Sequence, residues 1–305
     1  MKILITGGTG LIGSHLTREL EKRGDRVVIA SRTTTGKKYI NWDPDDPDSL
    51  KIPRNTNAVI HLAGAPVLDQ KWSKKYKTKI KESRIKSTKT LINAIRKYRG
   101  TLNSFIAGSA VGYYGSRGNE KITEKNDPGE SYLSGVAREW EKVVYSFARD
   151  RVFGKQPAIS TIRTGYVLAG DGGILEKILN PFSFFKPFHW GLGGYLGDGT
   201  HYMPWIHVED TVRTILYILD KQFEGPYNLT APGPVRNKQF TETLAEILNK
   251  PVRLRYPELV LKLLYGEATE VLLASLRVYP KALQKRGFKF KYSRLKPALK
   301  NLLGS

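Results

Sequence analysis

The first residues able to do chemistry are Thr6-Gly7-Gly8-Thr9-Gly10-Leu11-Ile12-Gly13. Glycines 7, 10 and 13 lie between an apolar run and a stretch of helical spacing. A dinucleotide needs that arrangement: one glycine turns the chain tightly, and one admits the pyrophosphate to the backbone. The third lets the helix lie close to the strand. The phosphates would meet unpaired N–H groups and the positive dipole end of a helix starting near Leu11. A ligand-free turn is the poorer explanation, because three glycines cost conformational entropy with nothing to offset it. The next apolar run ends at Ala30-Ser31-Arg32, where a site preferring NAD usually carries Asp or Glu for the ribose hydroxyls. Ser31 and Arg32 stand there, with Lys37 and Lys38 close behind. An arginine can stack on adenine and pair with a 2′-phosphate, so the pattern predicts NADP(H) over NAD(H).

Other candidates are less specific. His207 is followed by Asp210 one helical turn on, so Asp210 could orient the imidazole, but a helix cap beside a packed histidine is the simpler expectation. Glu124 could face a substrate cleft or be a solvated turn acid. The aromatic stretch Phe182–Trp190 with Gly191–Gly199 reads as a cover over a site or as packing between lobes. There is no cysteine, which excludes disulfides, thiolate metal sites and a Cys nucleophile, and five scattered histidines make a zinc site a poor expectation.

The elements that must position these residues alternate. Lys2–Thr6, Arg26–Ser31, Ala58–Ala63, Phe105–Ser109 and Ile159–Leu168 read as strands. Leu11–Lys22, Ser87–Tyr98 and Leu133–Arg149 read as helices. That alternation predicts an α/β fold, a Rossmann-type doubly wound parallel sheet with helices on both faces. Past residue 166 the chain is rich in glycine and aromatics, then helical over Val208–Asp220, Thr241–Asn249 and a leucine-studded Pro257–Leu276. The expected division is a dinucleotide-binding domain over 1–165, to which 204–225 returns, and a smaller C-terminal substrate-binding lobe over 166–305. Within that lobe, 250–303 forms a helical region of its own.

The 305 residues are 40% hydrophobic and 26% charged, an ordinary globular mix. No signal-peptide pattern and no apolar stretch of about 18 residues is present, so a soluble cytoplasmic protein without membrane contact is expected. The net charge is +22, and nearly all of it sits in two segments. Residues 71–100 hold twelve Lys or Arg and one acid, Glu82, and residues 271–305 hold nine and none. Such fields attract anions. Neither segment interleaves aromatics or carries a nucleic-acid motif, so solvated helix faces are expected and nucleic acid is not the expected partner.

The glycine spacing resembles that of extended short-chain dehydrogenases/reductases. The chain is similar, more narrowly, to an atypical extended group known as "epimerase family protein", related to NAD-dependent epimerases and dehydratases and carrying its own C-terminal helical domain. The matching residues run along the whole chain. They include Asn41-Trp42-Asp43-Pro44, His61-Leu62-Ala63-Gly64, Ser83-Arg84-Ile85, Ser109 to Gly115, Thr123-Glu124 and Trp140-Glu141. Further on come Arg163-Thr164-Gly165, Trp205-Ile206-His207, Asp210, Asn228 to Pro232, Gly266-Glu267, Arg277 to Pro280 and Gly287 to Phe290. The resemblance implies that Gly7, Gly10, Leu11, Ile12 and Gly13 hold the pyrophosphate, and Ser31 and Arg32 the 2′-phosphate. It implies that His61, Leu62, Ala63 and Gly64 lie under the cofactor. Arg84 would approach it from the following helix, and Ser109 would sit near the nicotinamide ribose.

Ordinary members of the superfamily pair a tyrosine with a lysine four residues on, whose charge lowers the tyrosine pKa for proton transfer. Here the pattern falls on Tyr132-Leu133-Ser134-Gly135-Val136, with valine at the lysine position. Aligning Tyr114-Gly115 on the usual pair places the catalytic serine position on Ala110, one residue from Ser109. Tyr132, as proton donor or as an aromatic wall, and Ser109, as a carbonyl-polarising group, are therefore the catalytic candidates. Two readings stand. One is an NADP(H)-dependent oxidoreductase or epimerase-like enzyme exchanging hydride with a carbonyl or carbinol of a small-molecule substrate, a sugar nucleotide being one candidate. The other is a non-catalytic NADP-binding sensor or scaffold.

Overall fold

In the computed structural model, residues 1–33, 35–148, 156–179 and 193–304 are described, without the side chain of Arg253. The expected cover over Phe182–Trp190 and Gly191 lies outside them, as does Arg149. Within 193–199, a short strand leads into a turn.

Seven strands form one parallel sheet. They are β1 (Lys2–Thr6), β2 (Arg26–Ser31), β3 (Tyr39–Asn41), β4 (Ala58–His61), β5 (Ser104–Ala110), β6 (Ala158–Thr164) and β11 (Gly225–Leu229). Their spatial order is β11-β6-β5-β4-β1-β2-β3, so the chain reverses direction across the sheet between β1 and β4. Ligands in open α/β sheets gather at such a reversal, beyond the carboxyl ends of the strands. Alternation sorts the core into two layers. Ile3 and Ile5 of β1 pack with Leu16 and Leu20 of α1 (Leu11–Lys22) and with Ile215 and Ile218 of α5 (Val208–Lys221). Leu4 faces the other way, toward Leu91 and Ile95 of α2 (Lys74–Lys97) and Val144 and Phe147 of α3 (Tyr132–Phe147).

α2 begins thirteen residues earlier than the expected Ser87, with Ser73 capping it by accepting from the Tyr76 N–H. Its solvent side carries the first basic segment, and these lysines are used: Lys77 pairs with Glu267, Lys81 with Glu139, Lys86 with Asp45 and Lys97 with Asp48. The expected strand Ile159–Leu168 is two strands. Gly165 separates them, at a point where a Cβ would stand 2.1 Å from the Pro204 carbonyl oxygen. Past the break, β7 (Tyr166–Ala169) leaves the sheet and pairs with β10 (Trp205–His207).

The remaining elements lie in the C-terminal half of the chain. They are α4 (Gly173–Leu179), β8 (Gly193–Leu196), β9 (Tyr202–Met203), β12 (Val235–Arg236), α6 (Asn237–Ile247), β13 (Val252–Tyr256), α7 (Glu258–Tyr265), α8 (Thr269–Leu273), α9 (Lys281–Lys285) and α10 (Leu295–Leu303). The expected single helix over Pro257–Leu276 is instead two short helices. Gly266, at φ +59°, breaks it, and the chain is extended again from Ala274.

Candidate functional site

β1 delivers the glycine turn to the carboxyl edge of the sheet. Gly7 has φ +73°, and a Cβ on it would lie 2.7 Å from the Ala63 nitrogen and the Leu62 carbonyl carbon. At Gly13 a Cβ would stand 2.2 Å from the Gly7 carbonyl oxygen. The turn, the end of β4 and the first turn of α1 are thus packed backbone to backbone, and a side chain at either position would force them apart. Gly10 is less constrained, with 3.4 Å to the same oxygen. Gly10 is also the N-cap of α1, and it offers no side chain to cap the first turn, so the N–H groups around Leu11, Ile12 and Gly13 are left for an anion. Ser31 ends β2 and Arg32 follows it, exposed, one strand over from this turn.

His61 ends β4. Its ring is wholly buried, with Nδ1 2.6 Å from Thr6 Oγ1 and Nε2 3.0 Å from Thr88 Oγ1. The rings of Trp42 and Trp140 meet it edge-on at 6.0 and 6.3 Å. Burial pushes its pKa down to about 3, so it is neutral at physiological pH. Its side chain fastens β1, β4 and α2 together. Leu62, Ala63 and Gly64 continue the backbone under the glycine turn. The Leu62 N–H donates to the Thr6 carbonyl, at 3.0 Å.

Arg84 of α2 reaches the same place. Its guanidinium lies against Gly64, over the Trp140 ring at 5.5 Å, and donates to the Ile80 carbonyl at 2.9 Å. Among the described residues no carboxylate pairs with it. Burial pushes its pKa down to about 10, toward the neutral form, as burial of an uncompensated cation must.

Ser109 and Tyr132 are both engaged by protein groups. The Ser109 hydroxyl donates to Glu141 Oε1 at 2.6 Å. The Tyr132 hydroxyl donates to the Lys77 carbonyl at 2.5 Å, its ring meets Trp72 edge-on at 5.4 Å, and Lys77 Nζ lies 4.9 Å from the ring centre. Burial raises the Tyr132 pKa, with Lys77, Arg84 and Lys81 opposing the shift. Val136, one turn on, is buried.

Ser109 belongs to a network that single residues in the sequence do not reveal. Glu141 takes Arg163 in a two-point contact, Nε to Oε1 at 2.8 Å and Nη2 to Oε2 at 2.7 Å. Arg163 Nη1 donates to the Tyr114 hydroxyl at 2.9 Å, and that hydroxyl donates to Asn228 Oδ1 at 2.6 Å. The Tyr113 ring covers the guanidinium at 3.6 Å. Strands β5, β6 and β11 and helix α3 are tied together by one buried polar chain. The signal was present in Trp140-Glu141, Arg163-Thr164-Gly165 and Asn228-Leu229, but nothing in the sequence said that they meet.

Glu124 is neither a solvated acid nor an isolated cleft carboxylate. It is mostly buried and accepts from the backbone N–H groups of Asn228 and Ala282, both at 3.1 Å. Its burial raises its pKa. At the start of α5 the cap is His207 itself, whose Nδ1 accepts from the Glu209 N–H at 3.0 Å. Its ring stacks on Tyr292 at 3.8 Å. Asp210 does not orient the imidazole. It accepts from the N–H groups of Lys291 and Tyr292, at 2.9 and 2.7 Å, and pins the C-terminal segment. No group of metal-ligating side chains occurs among the described residues, and no helix there is long and apolar enough to cross a membrane.

Residues 3–140 match the NAD dependent epimerase/dehydratase family, and residues 256–302 match a domain of unknown function, DUF1731. An epimerase family protein of Staphylococcus aureus strain NCTC 8325 is 35% identical, with 98% of both chains covered. The crystal structure of a human epimerase family protein with NADPH is 27% identical over the whole of both chains, at a TM-score of 0.89. A nucleoside-diphosphate sugar epimerase from Corynebacterium glutamicum is 32% identical at a TM-score of 0.76, this chain spanning 58% of it. A glycine turn at the head of a parallel sheet, a helical C-terminal region and end-to-end identity to named relatives agree: this chain belongs to the NAD-dependent epimerase/dehydratase family, within its epimerase family protein group of extended short-chain dehydrogenases/reductases.

Proposed function

We propose that the protein is an NADP(H)-dependent oxidoreductase or epimerase-like enzyme that exchanges hydride with a carbonyl or carbinol group of a small-molecule substrate. The observation that carries this reading is the cradle at Gly7 and Gly13, closed to any side chain and set at the bare N-terminus of α1. A dinucleotide pyrophosphate fits it in shape and in charge. Arg32 and Ser31 would read the 2′-phosphate, where no carboxylate repels it. Arg84, a largely buried cation beside Gly64 with no carboxylate partner among the described residues, would add positive charge on the other side. The human relative's NADPH supports the same choice. When bound, the nicotinamide supplies or accepts the hydride.

The protein's part is to hold, orient and move a proton. Ser109 Oγ and Tyr132 Oη both already donate to protein acceptors, Glu141 and the Lys77 carbonyl. Either would have to exchange its acceptor for the substrate oxygen in order to polarise it. That engagement, together with valine at position 136, favours the second reading, a non-catalytic NADP sensor that kept the cofactor cradle.

Titration with NADPH and NADH, followed by nicotinamide fluorescence, tests the cofactor, and oxidation of NADPH against a panel of carbonyl compounds tests the chemistry. NADPH is expected to bind at least tenfold tighter than NADH, and Arg32→Ala to erase most of that difference, since a charge-assisted contact is worth about 1.5–3 kcal/mol. Failure to bind either nucleotide would overturn the reading. Tight NADPH binding with no carbonyl turnover would leave the sensor.

A further inference from the structure

The smaller lobe contains a cavity of about 90 Å³ between β8, β9, α4, α6 and α7, bounded by Ile178, Leu196, Met203, Phe240, Leu244 and Leu261 among others. No Lys, Arg, His, Asp or Glu lines it among the described residues. Its polar groups are largely spent elsewhere. Asn237 Oδ1 accepts from the Leu196 N–H at 2.8 Å, and its Nδ2 donates to Met203 Sδ at 3.2 Å. The Tyr166 hydroxyl donates to the Val271 carbonyl at 2.7 Å.

The cavity adjoins the cofactor side of the molecule through two of its walls. Tyr166 follows the carboxyl end of β6 by two residues, at the sheet edge where the glycine turn and Ser109 also emerge. Tyr265 belongs to the same apolar cluster as Tyr132 and Trp72. Tyr265 thus links the cavity wall to the apolar cluster that Tyr132 packs against.

We propose that this cavity receives the apolar portion of an uncharged carbonyl substrate, and that the small lobe does not hold a nucleoside diphosphate there. The proposal rests on the oxidoreductase reading and narrows its substrate class. A diphosphate stripped of water needs cationic partners, and an unpaired charge in such a lining would cost far more than its contacts return. Among the described residues Leu, Ile, Phe and Met dominate the lining beside Tyr, Asn and Thr, and a cavity of that kind takes apolar groups.

Met203 makes this testable without turnover. The chain has two methionines, Met1 at the exposed N-terminus and Met203 in the cavity wall, so methyl-¹³C-methionine labelling gives one cavity reporter and one internal control. Cyclohexanone and 4-phenyl-2-butanone are expected to move the Met203 methyl resonance saturably and leave Met1 in place, and UDP-glucose to move neither. Ile178→Trp and the smaller filler Thr241→Leu are expected to weaken that response at least fivefold while NADPH binding persists. A Met203 resonance indifferent to both ketones, an undiminished response in a folded filled variant, or a Met203 response to UDP-glucose would each overturn the proposal. NADPH binding is read separately by fluorescence. Its loss alongside an intact Met203 response would sink the oxidoreductase reading and leave the cavity's ligand class standing.

Discussion

Arg163 and Glu141 are joined by two N–H···O bonds of 2.8 and 2.7 Å, with 4% and 7% of their side chains exposed. The pair is the hinge pin of the network that also holds Ser109 and Tyr114. A buried pair of this kind is weak evidence for net stability, but removing one partner strands the other charge.

Glu141→Ala should therefore destabilise the protein by about 3–5 kcal/mol, whereas Glu141→Leu combined with Arg163→Met should recover much of the loss. Thermal unfolding of the wild type and the two variants checks this. Equal midpoints for Glu141→Ala and wild type would show that the pair contributes little.

Gly13→Ala should abolish or weaken NADPH binding at least tenfold, since the added methyl would sit 2.2 Å from the Gly7 carbonyl oxygen. Gly135→Ala is the matched control. It lies in α3 with nothing within 4 Å of a new Cβ, so it should bind normally and gain about 0.5–1 kcal/mol from helix propensity. Fluorescence titration and unfolding midpoints separate the two.

Arg84→Met should raise the unfolding midpoint of the ligand-free protein and weaken NADPH binding about tenfold. Among the described residues no carboxylate pairs with the largely buried guanidinium, so its replacement relieves a desolvation cost that the cofactor phosphates would otherwise offset. A lower midpoint with unchanged affinity would make Arg84 a packing residue only.

Acid should destabilise the fold before carboxylates titrate. The folded pKa of His61 is pushed down to about 3, below its unfolded value near 6.5, so the unfolded chain binds a proton that the folded one refuses. Stability is full above pH 6.5 and falls as pH drops toward 3, by up to about 1.4 kcal/mol per unit from this group. His201 and His207 shift in the same direction through burial and add to it. Denaturant unfolding between pH 7.5 and 5 measures the slope, and His61→Gln should flatten it.

The parts legible in the sequence are those fixed by local rules. Lys2–Thr6, the glycine turn and Leu11–Lys22 follow from apolar runs and from backbone positions only glycine fills. The C-terminal half of α2 shows its apolar stripe at Leu91, Ile92 and Ile95, but the half from Lys74 is dominated by lysines and reads as charge, not as helix. β3 is three residues long and β11 begins Gly-Pro, and neither carries a period; both are strands because a neighbour supplies their hydrogen bonds. The leucines of 257–276 promised one helix, yet Gly266 breaks it. The polar chain from Ser109 to Asn228 was legible only as separate residues, because it closes over sequence distances of 22 to 114.

The seventh strand arrives late in synthesis. A ribosome that has made the first 165 residues has finished the whole glycine turn, but β6 still offers an open edge until Gly225–Leu229 emerges from the exit tunnel. Glu124 must wait longer still, for the N–H of Ala282. Open strand edges pair with whatever strand they meet, so the nascent chain is exposed to mispairing throughout that interval. Expression of this protein should respond to translation speed and chaperone supply more than its mature stability would suggest.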